Sequence, residues 1–271
     1  MNKSLVKAAS AIFPNQIVSF AYNQLTSPQV KKLRAHELEV LDQAQKETLP
    51  FGDFSIQLYT WAGGPDQVLL IHGWEGQAGN FADLVDALRA KNYTVHAFDG
   101  PSHGFSSKGK TSLFEFNELV GVLIKRFKAS KLVSHSFGGV ATTYSLYNNP
   151  DIHIDKYLML TTPDRFSERI NDVAQFTGIS EKVKQRLIAK LEQETGVAVT
   201  TMNVSDFVKQ INVKQGLIIH DEADRIIPIE RAKNVQRNWP NSKFVTVQGT
   251  GHFRILRTQA VIEQVVNFLA N

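Results

Sequence analysis

Six short, largely apolar runs punctuate this chain of 271 residues: Val68–Ile71, Thr94–Phe98, Lys131–Ser134, Tyr157–Leu160, Gly216–His220 and Phe244–Val247. Between them lie stretches whose apolar residues recur every three or four positions, such as Phe81, Leu84, Val85, Leu88 and then Phe116, Leu119, Val120, Leu123, Ile124. An unbroken apolar run is what a parallel strand covered on both faces requires, and the intervening period is that of a helix. The alternation therefore predicts right-handed βαβ units and a mostly parallel, doubly wound α/β sheet. A further strand is expected over Ser55–Trp61, followed by a turn at Gly63-Gly64-Pro65-Asp66, and a last helix over about Ile255–Leu269. The length suits one large core with an insertion better than two domains.

Composition excludes several chemistries. The 30 basic and 26 acidic residues, a net charge of +4, are interspersed, with no basic block carrying interleaved aromatics, which argues against a nucleic-acid partner. There is no cysteine, so disulfides, thiolate nucleophiles and Cys-ligated metals are ruled out. The 8 histidines are scattered without a His-Glu-x-x-His pattern, and neither a dinucleotide fingerprint nor a phosphate loop is present, so no metal and no cofactor is expected. Lys3 and Lys7 precede only a short apolar stretch broken by Pro14, and no run approaches the ~20 apolar residues of a transmembrane helix. A cytoplasmic protein is the expectation.

The chemistry concentrates at Ser134-His135-Ser136-Phe137-Gly138-Gly139, which closes one strand and opens a helix-like run. In a turn this tight the apex residue is forced into a strained, exposed conformation, and the residues two positions either side must be small. Ser136 is that apex, with Ser134 and Gly138 as the small neighbours. Asp224 and His252 follow in chain order, each just past the end of a later apolar run. A serine hydroxyl needs a base to take its proton, and an imidazole needs a carboxylate to hold its tautomer. His252 is the candidate base, competing with His72, His103, His135 and His220; Asp224 is the candidate acid, competing with Asp221, Glu222 and Asp164.

From about Phe54 onward the sequence resembles the α/β-hydrolase superfamily. The likeness is carried by Leu69-Leu70-Ile71-His72-Gly73-Trp74, Phe98-Asp99-Gly100-Pro101-Ser102-His103-Gly104, the serine turn, Asp224-Arg225-Ile226-Ile227-Pro228 and Gly251-His252. One departure is Ser134, where that family usually has glycine. The resemblance implies the α/β-hydrolase fold, an oxyanion hole formed by the backbone N–H groups of Trp74 and Phe137, and a helical cap in the insertion over residues 164–212. The core would then comprise 51–163 and 213–271. Residues 1–50 read as an N-terminal helical extension, with Leu5, Ala8, Ala9, Ile12 and then Ile17, Phe20, Ala21, Leu25 on apolar faces. These are expected to pack on the core as a strap, or else to contact a membrane surface or a second copy in a homodimer.

The expected activity is a serine hydrolase of the carboxylesterase type, forming an acyl-enzyme on Ser136 with His252 as general base and Asp224 as orienting acid. Its partner would be a small-molecule ester or thioester substrate. Thioesterase or carbon–carbon bond hydrolase activity on the same triad, or a noncatalytic ligand-binding role, are the alternatives. Glu75, charged and next to Trp74, would brace the oxyanion loop or touch a polar substrate.

Overall fold

The computed structural model describes residues 3–271. In chain order the elements are α1 (Lys3–Ile12), α2 (Pro14–Thr26), α3 (Ala35–Asp42), β1 (Gln45–Phe51), β2 (Phe54–Trp61), β3 (Gln67–Ile71), α4 (Ala82–Arg89), β4 (Thr94–Phe98), α5 (Leu113–Phe127), β5 (Lys131–His135), α6 (Phe137–Asn148) and β6 (Ile154–Leu160). There follow α7 (Phe166–Thr177), α8 (Glu181–Thr195), α9 (Val204–Phe207), β7 (Val213–Asp221), α10 (Ile229–Arg237), β8 (Ser242–Val247), α11 (Gly251–Arg254) and α12 (Gln259–Ala270).

The eight strands form one sheet in the order β1-β2-β4-β3-β5-β6-β7-β8. Only β1–β2 and β2–β4 pair antiparallel; from β4 to β8 every pairing is parallel. Val68, Leu69, Leu70 and Ile71 of β3 are fully buried, because helices cover both faces. On one face α5 and α6 contribute Phe116, Leu119, Leu123 and Ala141; on the other α4 and α12 contribute Leu84, Val85, Val265 and Leu269. Each such side chain withdrawn from water stabilises the fold by roughly 1.5–3 kcal/mol. Local signals fix the helix ends: Ser112 and Glu115 cap α5 reciprocally, and Gly178 and Gly196 close α7 and α8 at φ +80° and +68°.

Two expectations about the N-terminal region are corrected. Gln45–Phe51 is a strand, pairing Gln45 with Thr60 through Phe51 with Phe54 across a turn in which Gly52 takes φ +51°. These residues therefore belong to the sheet and not to a helical extension. The apolar side of α2 does not reach the sheet either: Val18 and Ala21 pack with Ile170, Val183, Leu187 and Leu191 of α7 and α8 in a third, separate cluster. Leu5, Ile12 and Phe13 are more than half exposed, so α1 keeps an uncovered apolar face. The last helix starts later than expected, at Gln259, after α11 and a 3-10 turn over Ile255–Arg257.

Candidate active site

The parallel strands end together at one edge of the sheet: Ile71 is opposite Ser134, His135 opposite Leu160, and Asp221 opposite Val247. The segments leaving these ends carry Trp74, Ser136, Phe137, Asp224 and His252, whereas His135, His220 and Asp221 lie at the very ends of their strands. Between β5 and α6, Ser136 stands alone at φ +52°, ψ −123°, a left-handed conformation costly for a residue with a Cβ. Its N–H donates to Leu160 O at 2.9 Å and its carbonyl accepts from Gly139 N at 2.8 Å, which pins the turn and leaves the hydroxyl free. The Ser134 hydroxyl, the departure from the family pattern, donates to the Tyr157 hydroxyl at 3.1 Å; Tyr157 in turn donates to Gly139 O at 3.1 Å. The extra oxygen at the strand–helix crossing is thereby absorbed.

Ser136 Oγ lies 3.1 Å from His252 Nε2, and His252 Nδ1 lies 2.8 Å from Asp224 Oδ2. The other oxygen of Asp224 accepts from the N–H groups of Ile226 and Ile227 at 2.7 and 3.0 Å. Burial alone would raise the Asp224 carboxyl, but the hydrogen bond and charge of His252, with those two N–H groups, hold it below its ordinary value. An ionised Asp224 requires Nδ1 of His252 to carry a proton, and this bond holds the ring with Nε2 toward Ser136.

The competing residues have other work. Asp221 is fully buried and accepts from Thr250 N, Thr250 Oγ1 and Gly251 N through Oδ2, at 2.5, 2.8 and 2.9 Å, and from Ala223 N at 2.8 Å through Oδ1. It thus fastens the loop that presents His252. Burial pushes the other way, but these donors hold the Asp221 carboxyl low. Asp164 accepts from Ser205 N and Asn234 Nδ2, and Glu222 accepts from Gln248 Nε2 on the exterior. His135, against the His252 ring at 4.9 Å, donates through Nε2 to the His252 carbonyl at 2.8 Å; burial and the neighbouring His252 charge push it down to about 3. His220 donates to Ile227 O at 2.9 Å. The bracing roles of Asp221 and His135 escaped sequence reading; their adjacency to a strand end and to Ser136 was the only signal.

Among the described residues the N–H groups of Trp74 and Phe137 have no hydrogen-bond partner, whereas those of Glu75 and Ser136 beside them bond to His103 Nε2 and Leu160 O. The loop bearing Trp74 is held by His72, whose Nδ1 donates to Gly73 O and whose Nε2 accepts from Gly100 N, both at 2.8 Å. His103 Nε2 accepts from Glu75 N at 3.3 Å, with its Nδ1 on Pro101 O at 2.8 Å. Burial lowers these imidazoles to about 4 and about 2, so both are neutral. Glu75, at φ +60°, accepts from Gln29 N at 3.3 Å and ties the segment after α2 to this loop.

Two cavities meet at Ser136. One of about 510 Å³ runs under α2, α7 and α8, walled by Leu25, Val140, Phe166, Val173, Leu191 and Met202. The other, about 260 Å³, opens past His135, Leu256 and Arg257 toward Lys31, Lys32 and Arg34. Trp74, Glu75, Ser136, His252 and Phe253 line both.

Residues 68–264 match the model of a family described as the Alpha/beta hydrolase family. An uncharacterized hydrolase of Bacillus subtilis (strain 168), YugF, is 22% identical over 249 residues, 76% of this chain and 90% of that protein. A pimeloyl-acyl-carrier-protein methyl ester esterase of Xanthomonas campestris pv. campestris (strain B100) is 36% identical over 89 residues, 33% of this chain and 34% of the esterase. Among solved structures, the thioesterase domain from the curacin biosynthetic pathway superposes with a TM-score of 0.62 at 17% identity, covering 84% of this chain and 99% of that one. A bacterial membrane phospholipase A gives 0.65 at 13% identity, covering 97% and 94%. At such identities the likeness to the solved structures is one of fold.

Proposed function

Taking as premise that the chain belongs to the alpha/beta hydrolase family, we propose that it is a serine hydrolase that cleaves carboxylic esters through an acyl-enzyme on Ser136. The observation that carries this reading is the continuous hydrogen-bonded line from Asp224 through His252 to Ser136, at 2.8 and 3.1 Å, ending on a residue held at positive φ. Esterases and a thioesterase among the similar proteins support the reaction class.

In the proposed cycle Ser136 Oγ attacks the carbonyl carbon while its proton passes to His252 Nε2. The imidazolium is stabilised by Asp224. Negative charge gathers on the former carbonyl oxygen, where the unpartnered N–H groups of Trp74 and Phe137 would receive it; the Phe137 donor also stands at the positive end of the α6 dipole. Removing one such donor typically costs roughly 3–4 kcal/mol of transition-state stabilisation. As the tetrahedral intermediate collapses, the carbon–oxygen bond to the leaving group breaks and His252 returns the proton to that group. Water then enters and gives a proton to His252 as its oxygen bonds to the acyl carbon; the bond from that carbon to Ser136 Oγ breaks, His252 returns the proton to Oγ, and the acid leaves.

The insertion between β6 and β7 would act as the cap: α7 and α8 wall the larger cavity and so would set the length and shape of the acyl group. The test is covalent labelling by a fluorophosphonate alongside hydrolysis of p-nitrophenyl esters of graded chain length, in wild type and Ser136→Ala. Labelling and turnover that both vanish in a folded Ser136→Ala protein are the expected outcome. A folded wild type that neither labels nor turns over refutes the proposal.

A further inference from the structure

The two cavities that meet at Ser136 differ in charge as well as size. On the wall of the larger one, Arg165, Arg169 and Arg231 are matched in number by Asp172, Glu194 and Glu75. Arg231 is spent in a two-pronged pair with Asp172 at 2.7 and 2.9 Å and Arg165 lies 3.7 Å from Asp164, which leaves Arg169 as the one arginine of that wall with no carboxylate within 4.0 Å among the described residues. Most of the rest of that wall is apolar, interrupted by Tyr22, Gln24, Thr26, Ser112 and Thr195. The smaller cavity is cationic: Lys31, Lys32, Arg34 and Arg257 face only Glu37 and Glu75. Arg34 is neutralised by Glu37 at 3.0 Å, and the Glu75 carboxylate is engaged by Gln29 N. Lys31, Lys32 and Arg257 remain, none within 4.0 Å of a carboxylate among the described residues. The Lys31 ammonium lies 5.2 Å over the Phe253 ring, at the junction of the cavities.

Resting on the serine-hydrolase reading, we infer that the larger cavity takes an apolar acyl chain and that the smaller one takes a phosphate-bearing leaving group. Polarity separates the halves: an acyl chain gains by burial among Leu25, Val140 and Phe166, whereas an anion there would find Arg169 alone among matched charges and largely apolar walls. Position agrees. The leaving group has to lie beside the imidazole that protonates it, and the smaller cavity is built from the His252 loop itself, through Phe253, Leu256 and Arg257, and from His135 beneath it. Phe137, whose N–H faces the oxyanion, borders only the larger cavity. Three cations without a carboxylate partner, set against the one Glu75 carboxylate, leave a net positive charge around the opening that suits a doubly charged phosphate better than a single carboxylate. The substrate class is thus an acyl thioester or ester of a small phosphorylated thiol or alcohol.

The experiment compares two thioesters of identical acyl chain and similar leaving-group chemistry: octanoyl-coenzyme A, which carries phosphate, and octanoyl-N-acetylcysteamine, which carries no charge. At low salt we expect kcat/KM for the charged thioester to exceed that for the neutral one about tenfold or more, with most of the advantage lost at about 0.5 M NaCl. In the triple variant Lys31→Glu/Lys32→Glu/Arg257→Glu the ratio should fall to about one or below, since rim charges act by steering and complementarity. All three side chains are on the exterior, so the variant should fold. Equal turnover of the two thioesters by wild type, or a ratio that survives the charge reversal, overturns this inference alone. Turnover of neither thioester nor of any p-nitrophenyl ester overturns it together with the reading beneath it.

Discussion

Gly138→Ala should cripple turnover while leaving the protein folded, and the size of the effect can be worked from the close approach at the serine turn. A Cβ at position 138 would lie 2.5 Å from the Ile71 carbonyl oxygen and 2.6 Å from that of His72. Both are backbone atoms, and the shortest comfortable carbon–oxygen separation is about 3.3 Å, so α6 and the loop after β3 must part by about 0.8 Å. That gap separates the two N–H groups proposed to hold the oxyanion, since Phe137 rides on α6 and Trp74 on the loop. Misplacement by 1 Å can cost about a hundredfold, so kcat should fall by roughly 30- to 100-fold, about 2–3 kcal/mol. Overpacking should also lower stability by about 1–3 kcal/mol. The assay is p-nitrophenyl ester turnover together with the rate of fluorophosphonate labelling and a thermal melt. Gly139→Ala is the control: there the added carbon would meet the rotatable Thr162 hydroxyl at 2.8 Å, which can turn away. A Gly138→Ala enzyme with wild-type kcat, or one impaired no more than Gly139→Ala, would show that the spacing between α6 and the loop after β3 does not govern catalysis.

Asp221→Asn should cost about 1–3 kcal/mol of stability, because an amide cannot accept on both sides and at least one of its four donors loses its acceptor; a urea melt matching wild type would refute this. Stability should also fall as pH drops below ~6.5, since His72, His96, His103 and His135 are held neutral with pKa values lowered to about 4, 4, 2 and 3, whereas the unfolded chain takes up those protons. Asp221 and Asp224 act on the same side: their folded values are depressed, so their contribution is complete above ~4 and disappears only as pH falls through the lower folded value. Melting temperatures from pH 8 to 2 test both, and a flat profile between 7 and 5 would count against the neutral histidines. Val140→Phe, at the inner wall of the larger cavity, should move the p-nitrophenyl ester preference toward shorter acyl chains; an unchanged chain-length profile would place the acyl group elsewhere.

The parallel strands were readable because a strand covered on both faces must be apolar throughout, as in Val68–Ile71. β1 was not, because it is an edge strand: Gln45, Lys46, Glu47 and Thr48 are exposed, and among the described residues β2 is its sole partner. Such a segment has no apolar pattern to betray it, and Pro50 is tolerated at an edge. The line Asp224–His252–Ser136 could be anticipated since each residue follows a strand and the ends of neighbouring parallel strands converge. What periodicity cannot supply is the identity of a partner: the apolar side of α2 announces burial, yet nothing local says that α7 and α8 receive it instead of the sheet. Likewise the charge difference between the two cavities depends on Lys31, Lys32 and Arg257, which come together only through the fold.

The packing of α2 on α7 and α8 also bears on the order in which a ribosome completes this molecule. Ser180 N donates to Ser10 Oγ at 3.3 Å across a sequence separation of 170 residues, and Val18 and Ala21 wait for Ile170, Val183 and Leu187. The first two helices therefore leave the exit tunnel with an apolar side that stays uncovered while most of the chain is made, about 10–30 s at 5–20 residues per second. Through that interval the uncovered side is open to non-native contacts, and the roof over Ser136 closes only when its two distant halves meet.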